Sequence, residues 1–525
     1  MKDINILDCT MRDGGYINNW LFGRNTIQNI IISMIEANTD LIEVGFLRNC
    51  QYDENCTCFN NINDIKKILP NDSGNSEFVA MILYTDYDID KLEICDGTVQ
   101  HIRVTFHNYD IIEGLEYCRR VKEKGYRIFI NPINLMGYSD MELIELLEKV
   151  NEIEPFGFSI VDTFGSMTKS DLIRIYAICE NNLGKDIVLG IHLHENMAMG
   201  YSLAQNFLDM KSPTRKCVID GSLYGMGRQP GNLCIELIMD YLNKNYNSMY
   251  QLDCLLDAIE NYIMPIKKKV GWGYSTEYFL SAKYNLHRSY AEFYQNKGRL
   301  TAKAMNHILE QISLDKKGVF DRKYAEAMYQ KYMDFSIDDR ENMARLRAEF
   351  KGKTVLLIAP GKSLKDYFAI IEQYSLKSEI VSISANFYIP DLKCKYVFFS
   401  NLKRYDEYKK ILHMQALIVT SNILREEKID GVTVDYRSLS LLENAYSDSC
   451  GILLLRLIAQ LEVKDILMVG FDGFSQNGEN YMEGHFGEFV KGYKDNNKKI
   501  AEEILKVKQR IPIYFLSESV YERYL

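Results

Sequence analysis

Two patterns of apolar positions alternate along roughly the first 250 residues. Short β-branched runs, typical of strands, are followed by longer stretches in which apolar residues recur every three or four positions, as in amphipathic helices. The predicted strands are residues 4–9, 41–46, 78–83, 102–106, 127–131, 158–162, 187–192 and 218–222. The predicted helices between them include residues 26–37, 111–124, 140–151, 170–181 and 201–210. This alternation predicts a (β/α)8 barrel over residues 1–290, with a doubly wound open sheet as the structural alternative.

The pattern changes after this region. Residues 291–350 are rich in helical periodicity and predict a helical extension and linker. From residue 351 strand signals return, at residues 353–359, 380–384, 396–400, 416–420, 431–434 and 466–470. Residues 351–525 therefore predict a second α/β domain with a doubly wound, Rossmann-like parallel sheet.

Composition narrows the class of protein. The chain has 525 residues, and 62 Lys and Arg against 72 Asp and Glu give a net charge of -10. An acidic chain without a basic tail argues against nucleic-acid binding. We expect a cytoplasmic protein, because there is no signal-like start and no apolar run of about 18 residues. The 12 cysteines lack a paired metal-binding spacing and are predicted to be reduced and mostly buried.

Candidate metal ligands follow the predicted barrel strands at their carboxyl ends, where barrel active sites lie. His192 and His194 are two residues apart at the end of strand seven, so their side chains point to one side. Asp13 follows strand one and Asn232 follows strand eight, and these strands are neighbours in a closed barrel. The four side chains predict a divalent metal site, whereas two ordinary histidines are the alternative interpretation.

The same residues carry a family resemblance. The pattern Asp8-x-Thr10-Met11-Arg12-Asp13-Gly14, with His192-x-His194 and Gly231-Asn232, resembles the DRE-TIM metallolyase superfamily. This superfamily includes hydroxymethylglutaryl-CoA lyase, 4-hydroxy-2-oxovalerate aldolase, isopropylmalate synthase and homocitrate synthase. The resemblance implies a TIM barrel with Mn²⁺ or Mg²⁺, or alternatively Zn²⁺, held by Asp13, His192, His194 and Asn232. It further implies that Arg12 stabilises an enolate derived from a 2-oxo acid.

Other polar residues at the predicted barrel mouth are candidates for catalysis or substrate binding. Tyr16 occupies the place where the aldolase branch has a catalytic histidine, and it is either the acid/base or a packing residue. Glu43 either takes part in catalysis or anchors a loop. Asp162, Thr163 and Arg228 are candidate substrate contacts.

The second domain has its own resemblance. Its Pro360-Gly361-Lys362-Ser363 turn, together with several later polar turns, is similar to bacterial sialyltransferase-like glycosyltransferases over residues 352–500. This implies a nucleotide-sugar site built from Gly361, Ser363, Asn386, Asn401, Ser449 and Gly451. His485 is a candidate general base, with an exposed loop histidine as the alternative.

Together these features predict a metal-dependent aldolase, lyase or condensing synthase that acts on a 2-oxo acid and an aldehyde. The barrel would be fused to a nucleotide-sugar transferase domain, which suggests surface polysaccharide biosynthesis by analogy. The alternatives are a glycosyltransferase with a non-catalytic barrel, an acyl-CoA-dependent synthase, and a non-catalytic assembly protein. Barrels of this kind often pair, so a homodimer is also expected.

Overall fold

The computed structural model describes residues 2–228, 230–412, 416–441, 448–475, 480–482 and 493–525. Contacts along the chain define two compact units. The barrel unit comprises Met1–Ala291 and Ile312–Phe320, and the C-terminal unit comprises Glu292–Gln311 and Asp321–Leu525. Most of the predicted linker thus lies in the C-terminal unit, while a nine-residue segment, Ile312–Phe320, returns to the barrel unit.

Eight parallel strands form the closed barrel, which confirms the predicted fold class. The strands of this unit are β1 Ile4–Asp8, β2 Leu41–Leu47, β3 Cys58–Phe59, β4 Glu77–Leu83, β5 His101–Phe106, β6 Arg127–Pro132, β7 Gly157–Asp162, β8 Val188–Leu193 and β9 Cys217–Gly221. Closure comes from β1, which pairs with β9 on one side and with β2 on the other. The two-residue strand β3 pairs with the end of β2 and is not one of the eight strands of the barrel.

The longer helices of this unit, among them those that follow the barrel strands, bury apolar faces against the core. The helices described in this unit are α1 Gly15–Asn18, α2 Arg24–Glu36, α3 Ile62–Lys66, α4 Ile111–Glu123, α5 Asp140–Ile153, α6 Lys169–Asn182, α7 Gly200–Met210, α8 Ile235–Tyr246, α9 Leu252–Ala258, α10 Met264–Lys269, α11 Thr276–Lys283 and α12 Ser289–Gln295, which crosses into the other unit. Helices α5 and α6 begin at capping boxes, Ser139 with Glu142 and Thr168 with Asp171. These reciprocal bonds satisfy exposed N–H groups and mark where each helix starts.

The C-terminal unit is built on a seven-stranded parallel sheet. Its strands are β10 Thr354–Ile358, β11 Ile380–Ala385, β12 Tyr396–Phe399, β13 Ala416–Thr420, β14 Val432–Val434, β15 Asp465–Val469 and β16 Ile513–Phe515. The spatial order is β14-β13-β12-β11-β10-β15-β16. Successive strands are added on one side of β10 up to β14 and then on its other side from β15. This change in strand order, between β10 and β15, is the point where such sheets bind ligands. Strand β16 was not predicted, because three residues with Tyr514 exposed make a weak strand signal.

The remaining described helices belong to this second unit. They are α13 Ala302–Glu310, α14 Arg322–Met333, α15 Arg340–Phe350, α16 Phe368–Ser375, α17 Leu402–Tyr408, α18 Ser421–Leu424, α19 Tyr436–Leu439, α20 Cys450–Ile458 and α21 Tyr493–Lys508. Helix α20 is apolar nearly all round and is buried accordingly. Among the helices of both units that are described, none is long and apolar enough to cross a membrane.

Candidate metal centre and active site

Three potential metal ligands converge at the carboxyl ends of β1 and β8. Asp13 follows β1, His192 is the second-to-last residue of β8, and His194 comes just after that strand. One carboxylate oxygen and one nitrogen from each imidazole lie within 4.8 Å of one another. All three residues are buried. This convergence is what the alternation of side chains along a strand predicted for the pair of histidines.

Each imidazole is oriented by a hydrogen bond through Nδ1. In His192 this nitrogen donates to Oδ2 of Asp220 at 2.9 Å, and in His194 it donates to the backbone carbonyl of Asp162 at 2.9 Å. A neutral imidazole that donates through Nδ1 presents a lone pair on Nε2. Partners of this kind fix ring orientation and raise ligand basicity at metal sites.

The buried polar atoms around this cluster fit a divalent cation. Within the described part of the chain, Oδ2 of Asp13, Nε2 of His194 and Oδ1 of Asn232 are buried and lack a hydrogen-bond partner. Asn232 pairs through its backbone with His194. Buried polar atoms are costly unless something compensates them, and oxygen and imidazole donors suit Mg²⁺, Mn²⁺ and Zn²⁺.

The protonation states also suit ligation. Burial by itself raises the pKa of Asp13, but the neighbouring Arg12 and His194 hold that pKa well below its usual range. Burial lowers the pKa of His192. The cluster thus offers an ionised carboxylate and a neutral imidazole, which are the forms that bind a metal ion.

A buried network of charges supports the candidate ligands. Arg12 donates from Nε to Glu43 and from Nη1 to Asp13, both at 2.7 Å. Arg103 donates to the same Glu43 oxygen at 3.3 Å and to Asp220. The two arginines and three carboxylates therefore form one continuous chain of buried ion pairs that runs from the candidate ligand Asp13 to Asp220.

Sequence reasoning missed Arg103 and Asp220. Both lie within apolar strands, β5 and β9, and both are almost fully buried. An isolated charge inside an apolar strand was a usable signal, since buried charges are rarely tolerated without a partner. With the Asn131 amide oxygen turned toward it, Arg103 makes a further hydrogen bond of 2.7 Å.

A cavity of about 290 Å³ opens beside the cluster. Its lining includes seven of the predicted site residues: Arg12, Asp13, Tyr16, Thr163, His192, His194 and Arg228. Arg48, Arg103, His107 and His287 also line it and were not predicted. Tyr16 contacts Trp20 and Phe46 edge-on, with ring centroids 4.7 and 6.2 Å apart.

Three predicted residues are not among those that line the cavity. Glu43 is wholly buried and holds Arg12, and Asn232 is buried next to His194. The carboxylate of Asp162 accepts hydrogen bonds from the N–H groups of Ser166 and Met167, so it anchors the loop after β7. Burial raises the pKa of Asp162 to about 6.

The comparison with known families agrees with this geometry. Residues 3–260 match the sequence model of the HMGL-like family. This part of the chain is similar to the HMGL-like family, and the match covers just under half of the chain. The Asp13, His192 and His194 cluster lies inside the matched region.

Several relatives are similar to about half of this chain. Homocitrate synthase AksA of Methanocaldococcus jannaschii is 24% identical over 260 residues, which are 47% of this chain and 61% of the relative. A 4-hydroxy-2-oxovalerate aldolase of Roseiflexus castenholzii is 23% identical over 50% of this chain and 77% of its own length. This chain thus spans less than two thirds of the first of these relatives.

One solved structure supports the fold. It is the N-terminal domain of a proposed aldolase from Bacteroides vulgatus, with a TM-score of 0.50 and 24% identity. The match covers 56% of this chain and 96% of that domain.

The C-terminal unit has a second cavity, of about 180 Å³, beside the ends of β10 and β15. Of the predicted nucleotide-sugar residues, Gly361, Asn386, Ser449 and Gly451 line it. Ser363 instead hydrogen-bonds Asp472, and Asn401 caps α17. His485 lies outside the described residues.

Proposed function

We propose that this chain is a divalent-metal-dependent carbon–carbon lyase or condensing enzyme that acts on a 2-oxo acid. The observation that carries the proposal is the convergence of Asp13, His192 and His194 beside Arg12 at one cavity. A bound ion would supply Lewis acidity toward the carbonyl oxygen of a 2-oxo acid. Asp13, His192 and His194 would hold it, with Asn232 as a further candidate ligand.

In the cleavage direction the substrate is a 4-hydroxy-2-oxo acid. The C4 hydroxyl loses its proton, the C3–C4 bond breaks to release an aldehyde, and its electron pair forms the enolate of the shorter 2-oxo acid. Arg12 supplies a fixed cation for the developing enolate charge. The enolate then takes a proton at C3 to yield the 2-oxo acid product.

Tyr16 is the proposed proton carrier. Its side chain lines the cavity and is 36% exposed, so its hydroxyl can exchange protons with solvent. Thr163 and Arg228 line the same cavity and are proposed substrate contacts. Glu43 and Asp162 act through other groups: Glu43 positions Arg12, and the carbonyl of Asp162 positions His194.

The relatives support both directions of such a reaction. Relatives named as 4-hydroxy-2-oxovalerate aldolases favour the aldol reaction, whereas the relative named as a homocitrate synthase favours a condensation. We place the aldol reaction first, because Arg12 and Tyr16 line the same cavity as the candidate metal ligands.

Metal analysis of the full chain tests the proposal. We expect about one divalent ion per chain after loading with Mn²⁺, and loss of that ion in His192→Ala/His194→Ala. The control is His307→Ala, a histidine of the C-terminal unit that pairs with Glu426. Exchange of the pyruvate methyl protons with deuterium oxide, followed by NMR, should depend on the ion and disappear in the double variant. Equal metal content in the wild type and in His192→Ala/His194→Ala would refute the proposed site.

The cavity of the C-terminal unit supports a second candidate function, nucleotide-sugar binding or transfer. Four of the predicted residues line it, and it lies where a parallel sheet reverses its strand order. Such a pairing of activities would suit biosynthesis of an unusual sugar acid. Titration with UDP and CMP tests the candidate: we expect saturable binding that Ser449→Tyr abolishes without changing metal content. No binding of either nucleotide would remove this candidate.

A further inference from the structure

The cavity of the barrel unit is lined by more positive charge than the proposed chemistry requires. Four arginines line it, namely Arg12, Arg48, Arg103 and Arg228, while Asp13 is the one acidic residue among its described lining. Arg12 and Arg103 are paired with the buried carboxylates Glu43, Asp13 and Asp220. The remaining two arginines, Arg48 and Arg228, take no part in that network.

Arg48 and Arg228 are held on one aromatic platform formed by Tyr16, Trp20 and Phe46. The guanidinium carbon of Arg48 lies 4.4 Å from the Phe46 ring centroid and 4.7 Å from that of Trp20. The guanidinium carbon of Arg228 lies 5.7 Å from the Tyr16 ring centroid. Stacking on aromatic rings restrains a guanidinium while leaving its N–H edge available to an anion.

Arg48 contacts a carboxylate at a long distance, and Arg228 contacts an imidazole. Arg48 has an ion pair with Asp86 at 3.6 Å, and its own Nε is buried without a hydrogen-bond partner among the described residues. Nη2 of Arg228 donates to Nε2 of His287 at 3.0 Å. Burial, together with repulsion from Arg228 and Arg288, lowers the pKa of His287 to about 3, so that partner is neutral.

We propose that Arg48 and Arg228 form a subsite for a second anionic group, a carboxylate or a phosphate, at the far end of the substrate. The inference rests on the proposed function, because it assumes that the first carboxylate of a 2-oxo acid is bound beside the metal ligands. It narrows the substrate class to 2-oxo acids with a charged distal end. Planar guanidinium groups favour both oxyanions, and bidentate pairs are the strong form of this contact.

Three probes with a common five-atom backbone test the subsite. They are 2-oxopentanoate, with an uncharged end, 2-oxoglutarate, with a carboxylate end, and 2-oxo-4-phosphonobutanoate, with a phosphonate end. None has a C4 hydroxyl, so none can undergo the cleavage. Homologues of these probes that are one carbon longer test a larger distance between the two anionic groups. Oxalate tests binding beside the metal ligands alone.

Calorimetric titration of the Mn²⁺-loaded full chain gives the dissociation constants. At least one charged-end probe should bind about tenfold or more tightly than its uncharged counterpart, in line with charge-assisted hydrogen bonds. Whichever of the two charged probes, carboxylate or phosphonate, binds more tightly identifies the distal group as a carboxylate or a phosphate. In Arg48→Gln/Arg228→Gln this preference should fall to about onefold, with the affinity for oxalate unchanged. Arg174→Gln, which removes an exposed arginine paired with Asp140 on an outer helix, should keep the preference.

The outcomes distinguish failure of the proposed subsite from failure of the proposed function. Failure of oxalate to bind the Mn²⁺-loaded protein would count against the proposed function itself. Oxalate binding with no preference for charged ends in the wild type would overturn the subsite alone. A preference that survives in the double variant, whose oxalate binding verifies its fold, would also overturn it.

Discussion

The two units of this chain build their cavities in contrasting ways from the same parallel β/α units. In the barrel unit, the cavity is lined by convergent charged side chains that a buried ion-pair network holds in place. In the C-terminal unit, the cavity lies against glycine-rich turns, such as Gly361 and Gly470, and against the start of α20. The first arrangement suits bond-making chemistry, and the second suits binding through the backbone.

The comparison teaches that fold class by itself does not decide what a cavity does. Parallel strands bring their carboxyl ends to one edge in both units. What differs is the residue type that each strand carries at that edge. The tests below alter side chains in the barrel unit and backbone conformation in the C-terminal unit.

The largest expected effect comes from Tyr16→Phe. Loss of the hydroxyl should lower aldol turnover by ~100-fold or more, because a positioned acid or base contributes about that much. Metal content should be unchanged, since Tyr16 is not among the candidate ligands. Tyr201→Phe is the matched control, because Tyr201 is also 36% exposed but lies on helix α7. Full activity in Tyr16→Phe would assign the tyrosine to packing.

Asp220→Asn tests whether Asp220 supports the candidate metal ligand His192. Asp220 accepts from Nδ1 of His192 and from Arg103, so we expect metal affinity to fall by ~10–100-fold. Competition with a fluorescent chelator measures that affinity. Asp209→Asn on the exposed side of α7 removes the same charge and should leave affinity unchanged. An unaltered affinity in Asp220→Asn would remove the supporting role of Asp220.

Gly470→Ala tests whether the stability of the C-terminal unit depends on a glycine in the turn after β15. Gly470 has φ +72°, and an added Cβ would lie 2.1 Å from the carbonyl oxygen of Ala359. We expect the free energy of unfolding of this unit to fall by ~1–3 kcal/mol, measured by denaturant titration. Gly352→Ala, with φ +68° and open space, isolates the conformational cost. Metal content of the barrel should stay constant, and equal losses in the two variants would contradict the steric argument.

The last expected effect is a change in the pH dependence of stability at His287. Its pKa is lowered from 6.5 to about 3, mainly by burial, so between these values the unfolded chain binds a proton that the folded chain excludes. The unfolding free energy should therefore fall as pH drops below 6.5, by at most ~1.4 kcal/mol per pH unit from this residue. His287→Gln should flatten this dependence between pH 6.5 and 4. An unchanged slope would mean that other groups dominate it.

Much of the fold could be predicted from local patterns. The eight barrel strands were anticipated because buried parallel strands are continuous apolar runs. The shared side of His192 and His194 was anticipated from side-chain alternation along one strand, and the nearness of Asp13 from the position of barrel active sites at the carboxyl ends of strands, while metal binding stays a prediction. Strand β16 was missed because its three residues alternate too briefly to register.

What the sequence by itself determined is therefore the order of elements and the candidates that lie at strand ends. Only the tertiary structure decided which charges meet. Arg103 and Asp220 are 117 residues apart and pair because barrel closure brings their strands to one interior. In the same way, the loop geometry turned Asp162 toward backbone N–H groups and Glu43 toward Arg12. Such partners depend on distances through space, which no local periodicity along the chain encodes.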